Sequence, residues 1–113
     1  MKRNLSPSVK KQLATLVCTA HETALRSALS ELARHFESWQ RGEIDSFKMA
    51  DCIHEFHQGP SQAIYKRFTY HRNDDLPMLA ASAIATSLID EKDVPAEVLP
   101  HVKPWLEFHR RGL

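Results

Sequence analysis

The residues best suited to chemistry form two groups in the middle of the chain, and the first holds Asp51, His54 and His57. Asp51 and His54 are three residues apart, so on a helix they share a face, where a carboxylate and an imidazole can chelate a metal ion. Helical di-metal proteins combine such carboxylate-x-x-His pairs from several helices. The chain has no second pair, because Glu31 and His35 are four residues apart. We therefore favour solvated or hydrogen-bonded side chains over a metal site.

The second group mixes basic and aromatic residues. It consists of Tyr65, Lys66, Arg67, Tyr70, His71 and Arg72. On a helix that follows a glycine turn, such residues can bind phosphates and stack on bases, as in a helix-turn-helix protein. Glu55 stands where that motif has a small residue, and Tyr65 where it has a branched apolar one. We favour an amphipathic helix with Ile64 and Phe68 inside, and keep nucleic-acid binding as the alternative.

Neither cysteine is placed for covalent catalysis. Cys18 and Cys52 have no CxxC-type spacing, and the histidines near them are neighbours only along the sequence, which is weak evidence for a nucleophile and its base. The phosphate-binding P-loop, the GxSxG nucleophile elbow and the HExxH zinc motif are all absent. The sequence predicts two free thiols and no cofactor.

The composition is that of an ordinary globular domain. Of the 113 residues, 42% are hydrophobic and 26% are charged, and 15 Lys+Arg against 14 Asp+Glu leave a net charge of +1. A chain of this length can bury a core without a metal or a disulfide, which predicts one domain over residues 1–113. The near-neutral charge does not favour a general affinity for nucleic acid or anionic lipid. Without a membrane-length apolar run or a signal peptide, the protein is expected in the cytoplasm, away from membranes.

Glycine and proline divide the chain into helices, and no apolar/polar alternation indicates a strand. Ser6 and Pro7 predict the start of the first helix, Gly42 its end, and Asp45 the cap of the second. Gly59-Pro60 should end the second helix and begin a third. The predicted helices cover approximately residues 7–41, 45–58, 60–71, 77–89 and 104–111. The expected fold is an all-α bundle of four main helices, with a long N-terminal helix and a Pro-rich C-terminal segment with short helices.

The first helix is too long for one small domain to cover. About 34 residues reach about 51 Å, whereas a compact chain of this size is about 34 Å across. The apolar face of this helix also turns by roughly 130° between two groups of residues. The first group is Val9, Leu13, Leu16, Val17, Ala20 and Ala24, and the second is Leu25, Leu29, Leu32, Phe36 and Trp39. Either the helix kinks near residues 21–23, or one half packs against a second chain. A two-fold dimer would cover an apolar patch that soluble monomers rarely expose. The predicted interface comprises Leu13, Leu16, Val17, Ala20 and Ala24.

The large apolar residues of the first three helices predict a shared core. Its expected members are Phe36, Trp39, Ile53, Phe56, Ile64 and Phe68. With no catalytic motif present, the sequence favours a non-enzymatic homodimer with an interaction or regulatory role. The alternatives are a nucleic-acid-binding regulator that uses residues 60–72, and a metal-dependent helical enzyme that uses Asp51 and His54.

Overall fold

The computed structural model describes residues 5–112, and over this range it is helical without a strand. The all-α prediction is therefore confirmed. Residues 1–4 lie outside the described range. The α-helices are α1 (Pro7–Gln40), α2 (Ser46–Phe56), α3 (Gln62–Thr69), α4 (Leu76–Ala85) and α5 (Leu99–Arg110). A π-helical segment (His57–Ser61) joins α2 to α3, and short 3₁₀ turns occupy Asn73–Asp75 and Glu91–Asp93.

Helix α1 begins and ends where local chemistry predicts. The Ser6 hydroxyl accepts a hydrogen bond from the Val9 N–H at 3.1 Å, which caps the first turn. Gly42 has a φ of +76°, and the N–H of Glu43 donates to the Ser38 carbonyl at 2.9 Å. This is the Schellman arrangement that a left-handed glycine permits. Between these ends α1 is one continuous helix, so the break considered near residues 21–23 is not adopted.

The predicted break between the second and third helices is wrong. Helix α2 starts as expected, with the Asp45 carboxylate accepting from the Lys48 N–H at 2.8 Å. At Gly59 and Pro60, however, the chain remains helical through the π segment, and Gly59 does not take a left-handed conformation. Pro60 has no N–H to donate, and the local π geometry accommodates that loss without ending the helix.

The π segment also keeps the apolar faces of α2 and α3 in line. In an uninterrupted α-helix, Phe68 would lie about 100° around the axis from Met49. The π segment absorbs one residue, which brings Phe68 back to the face of Met49 and Cys52. All three side chains are buried. Burial of a single face therefore supplies a packing reason for the π geometry.

The chain divides into two compact units, and unit one contains the residues up to His21 and those from Tyr70 onward. In this unit α4 packs against α5. The buried residues include Val9, Leu13, Val17, Ala20, Leu79, Ala80, Ala81, Ala83, Val98, Val102 and Leu106. At its surface, Arg110 pairs with Glu91 at 2.6 Å. Unit one thus has a filled core built from α1, α4 and α5.

Two helices of unit one have other bounds than predicted. Helix α4 ends at Ala85 rather than near residue 89, because the chain turns at Ser87, which has a φ of +64°. Helix α5 begins at Leu99, several residues before the predicted start at Pro104. Pro100 lies in its first turn, where a missing N–H costs nothing. The Pro-rich tail therefore forms a full helix of 12 residues.

Unit two spans Glu22–Thr69 and buries little. Its buried side chains are those of Met49, Cys52 and Phe68. Phe56 and Ile64 are half-buried. The predicted core is wrong for its other members: Phe36 is 38% exposed, Trp39 39% and Ile53 42%. The unit consists of the second half of α1 and the α2–α3 run, and two helical elements can cover one another on only one side each. That the two units form a single domain stays a prediction.

Candidate functional site

The most prominent surface of unit two is an apolar stripe along α1, formed by Leu25, Leu29, Leu32, Phe36 and Trp39. The residues follow each other at spacings of four, three, four and three, which places them within about 80° of one another around the helix. Leu29 is 46% exposed, Phe36 and Trp39 nearly as much, and the other two are half-buried. The 4-3-4-3 spacing is that of a coiled-coil seam.

The aromatic end of the apolar stripe is held in place by contacts within unit two. The Trp39 indole N–H donates to the Ser46 hydroxyl at 3.0 Å, so its polar atom is satisfied by the start of α2. The Phe36 and Trp39 rings meet edge to face, with their centres 6.4 Å apart. Such pairs are favourable beyond the area that they bury. A partner would therefore meet an ordered aromatic surface with no unsatisfied indole N–H.

The charges on this part of α1 pair with one another around the apolar stripe. Arg26 bonds Glu22 at 2.8 Å, and Arg34 bonds Glu31 at 2.5 Å. Beyond the helix end, Arg41 hydrogen-bonds Glu43 and holds the pKa of that carboxyl below its ordinary value. This last pair is exposed, so it contributes little to stability. The apolar stripe itself carries no charge, as is usual for the centre of a protein interface.

Beside the apolar stripe lies an open groove of about 470 Å³ between α1 and the α2–π segment. Ala24 and Ala28 contribute small side chains, and the thiol-bearing Cys52 is buried and free. The remaining lining residues are Ser27, Glu31, Leu32, His35, Glu55, Phe56 and Pro60. The groove has acidic groups at its edge, but no bound group shows what would occupy it.

The metal candidates gain no further ligand. Asp51, His54 and His57 are all exposed on α2 and at the start of the π segment. Within residues 5–112, no three His, Cys, Asp or Glu side chains are arranged to hold a metal ion. A stable site needs three or four protein ligands. The structure therefore leaves Asp51 and His54 as a surface pair.

The basic and aromatic segment does not form a helix-turn-helix. That interpretation required a turn at Gly59, and the chain is helical there. Tyr65 and Lys66 are exposed on α3, whereas the Arg67 guanidinium lies 5.0 Å from the ring centre of Phe68. Three further candidates follow α3 and belong to unit one: Tyr70, His71 and Arg72. Tyr70 is exposed, and the Arg72 backbone N–H donates to Asp75. No separate recognition helix presents these residues.

The predicted interface residues are covered by their own chain. Leu13, Val17 and Ala20 are buried in the core of unit one. Leu16 and Ala24 are half-buried. The exposed apolar patch that the predicted dimer interface would cover is therefore not present at these positions. This corrects the predicted location of the interface. The exposed face lies further along α1, and two of its residues, Phe36 and Trp39, are ones that the sequence interpretation assigned to the core. The strict 4-3-4-3 spacing of this face was the signal that could have identified it.

A search of protein families, curated proteins and solved structures finds no match to this chain. None of the helices within residues 5–112 has both the length and the apolar character needed to cross a membrane. Arguments about function therefore depend on the surfaces of the molecule itself, among them the apolar stripe.

Proposed function

We propose that the protein is a non-enzymatic cytoplasmic homodimer, an interaction or regulatory protein whose dimer surface is the apolar stripe. The observation that supports this proposal is the exposure of Leu29, Phe36 and Trp39 on one ordered helix face. Soluble monomers rarely leave such residues in contact with water over a continuous surface. Trp in particular is a residue type that dominates binding energy in protein interfaces.

A two-fold dimer suits this surface because one helix face can pair with its own copy. Closed two-fold dimers are the commonest protein assemblies. Each large apolar side chain that becomes fully buried contributes roughly 1.5–3 kcal/mol, and less where it is already half-covered. Association costs at least about 4 kcal/mol, so a few such residues support reversible rather than permanent pairing.

The test is the molar mass in solution, measured by analytical ultracentrifugation over a range of micromolar concentrations. The unmodified protein should sediment as two chains at the upper concentrations. Leu29→Glu should sediment as one chain, because the charge would lose its water on pairing. Circular dichroism should show unchanged helicity, since Leu29 is 46% exposed in the single chain.

Phe47→Glu provides the matched control. Phe47 is 86% exposed, and it lies about 200° around α2 from the buried Met49, away from the side that packs. This variant removes a larger exposed apolar side chain without touching the apolar stripe, so it should remain dimeric. A single-chain mass for the unmodified protein at high micromolar concentration would overturn the proposal. Equal effects of Leu29→Glu and Phe47→Glu would overturn its location.

A further inference from the structure

We infer that the two copies of α1 pair antiparallel across the apolar stripe, crossing near Arg34. This inference rests on the homodimer proposed above and adds its geometry. In an antiparallel coiled coil, each residue of one seam position faces a residue of the other seam position on the partner. If the two helices cross at the level of Arg34, residues equally distant from position 34 on the two chains face each other. Leu29 then lies opposite the partner's Trp39, and Leu32 lies opposite the partner's Phe36.

Side-chain size favours this direction. The apolar stripe has leucines in its N-terminal part and aromatic residues in its C-terminal part. The antiparallel arrangement pairs one leucine with one aromatic ring in each of the four layers from residue 29 to residue 39. A parallel pair would instead stack Trp39 on Trp39 and Phe36 on Phe36, with leucine opposite leucine elsewhere. Alternating large and smaller side chains fill an interface evenly, whereas stacked aromatic layers would hold the leucine layers apart.

The length of the apolar stripe sets the expected strength. Residues 25–39 extend about 22 Å along α1, and a helix is about 10–12 Å wide. A standard stable interface buries about 800 Å² on each partner, more than this strip offers. The dimer should accordingly dissociate in the micromolar range, and the unmodified chain should change its mean mass across the concentrations accessible to sedimentation.

Two cysteine variants distinguish the directions. The background is Cys18→Ser, which removes the exposed thiol and leaves the buried Cys52. Ala33→Cys and Gln40→Cys are then made separately; both positions are exposed, and they lie seven residues apart on the same side of α1. In the antiparallel dimer the two copies of residue 33 are offset along the axis by about 3 Å, and those of residue 40 by about 18 Å.

The measurement is the yield of covalent dimer with a short bis-maleimide at a concentration where sedimentation shows pairs. Ala33→Cys should cross-link at least tenfold faster than Gln40→Cys, and the background without an added cysteine should not cross-link. A dimer in which both variants cross-link equally, or in which Gln40→Cys is faster, would overturn the antiparallel inference and leave the homodimer standing. A single-chain mass would overturn the homodimer itself.

Discussion

Unit one buries side chains from α1, α4 and α5 around a common core, whereas unit two buries only Met49, Cys52 and Phe68. The same helix serves both, since α1 contributes its first turns to unit one and its later turns to unit two. Leu13 and Leu29 are therefore chemically identical residues on one helix, yet one is fully covered and the other is 46% exposed. Whether a segment forms a helix and whether its apolar side chains are buried are separate properties. The burial depends on which other helices pack against that segment.

The sharpest test of this difference replaces each of the two leucines with alanine. Leu13→Ala should lower the free energy of unfolding by about 3 kcal/mol, because it leaves a cavity in a filled core. Leu29→Ala should lower it by less than about 1 kcal/mol in the single chain. Urea denaturation at a concentration below pairing measures both. Similar losses for the two variants would mean that unit two covers Leu29 as well as unit one covers Leu13.

A second test concerns Gly42, whose φ of +76° lets α1 end beside α2. Gly42→Ala should cost about 1 kcal/mol in unfolding free energy, because a Cβ is disfavoured in the left-handed conformation. Its Cβ would meet no other atom within 4 Å, so steric crowding by neighbours does not add to the cost. Gly42→Asn should lose less, since asparagine tolerates this conformation. Equal losses in thermal denaturation would contradict the backbone explanation.

The helix caps should matter equally in the two units, in contrast to the leucines. Ser6→Ala removes the acceptor for Val9 in unit one, and Asp45→Ala removes the acceptor for Lys48 in unit two. Each should cost about 1 kcal/mol in urea denaturation. The matched replacements Ser6→Thr and Asp45→Asn keep an acceptor and should restore most of the loss. A cap effect confined to unit one would show that unit two is not stably folded.

The smallest expected effect is the titration of Glu43, followed by the NMR shift of its side-chain carboxyl. The Arg41 hydrogen bond and charge lower its pKa in the folded chain. A lowered pKa means that the pair favours folding above the ordinary glutamate pKa, and that this contribution is lost as the pH falls through the lowered value. Arg41→Gln should return the pKa of Glu43 toward its ordinary value. An unchanged midpoint would show that the two side chains do not pair in solution.

Both ends of α1 and the start of α2 could be predicted from the sequence because they depend on neighbouring residues. Ser6, Asp45 and Gly42 act within three or four positions of themselves. The predicted helix break at Gly59-Pro60 is wrong. These residue types usually end helices, whereas here the chain stays helical and α2 and α3 share one apolar face. The candidate interaction surface could be predicted only in part. The 4-3-4-3 spacing of the apolar stripe can be recognised in the sequence, but the exposure of its side chains depends on packing between segments that are distant in sequence.

The π segment also determines where the chain tolerates a change of length. It holds one residue more than an α-helical path over the same distance would need. Deletion of Pro60 would remove the extra residue, which would also be the one without an N–H. Phe68 would then stay on its buried face. A one-residue deletion within the regular helical turns between Met49 and Phe68 would instead rotate Phe68 by about 100° away from Met49. Residues 57–61 are therefore the part of unit two in which a relative could differ in length without rearranging its core.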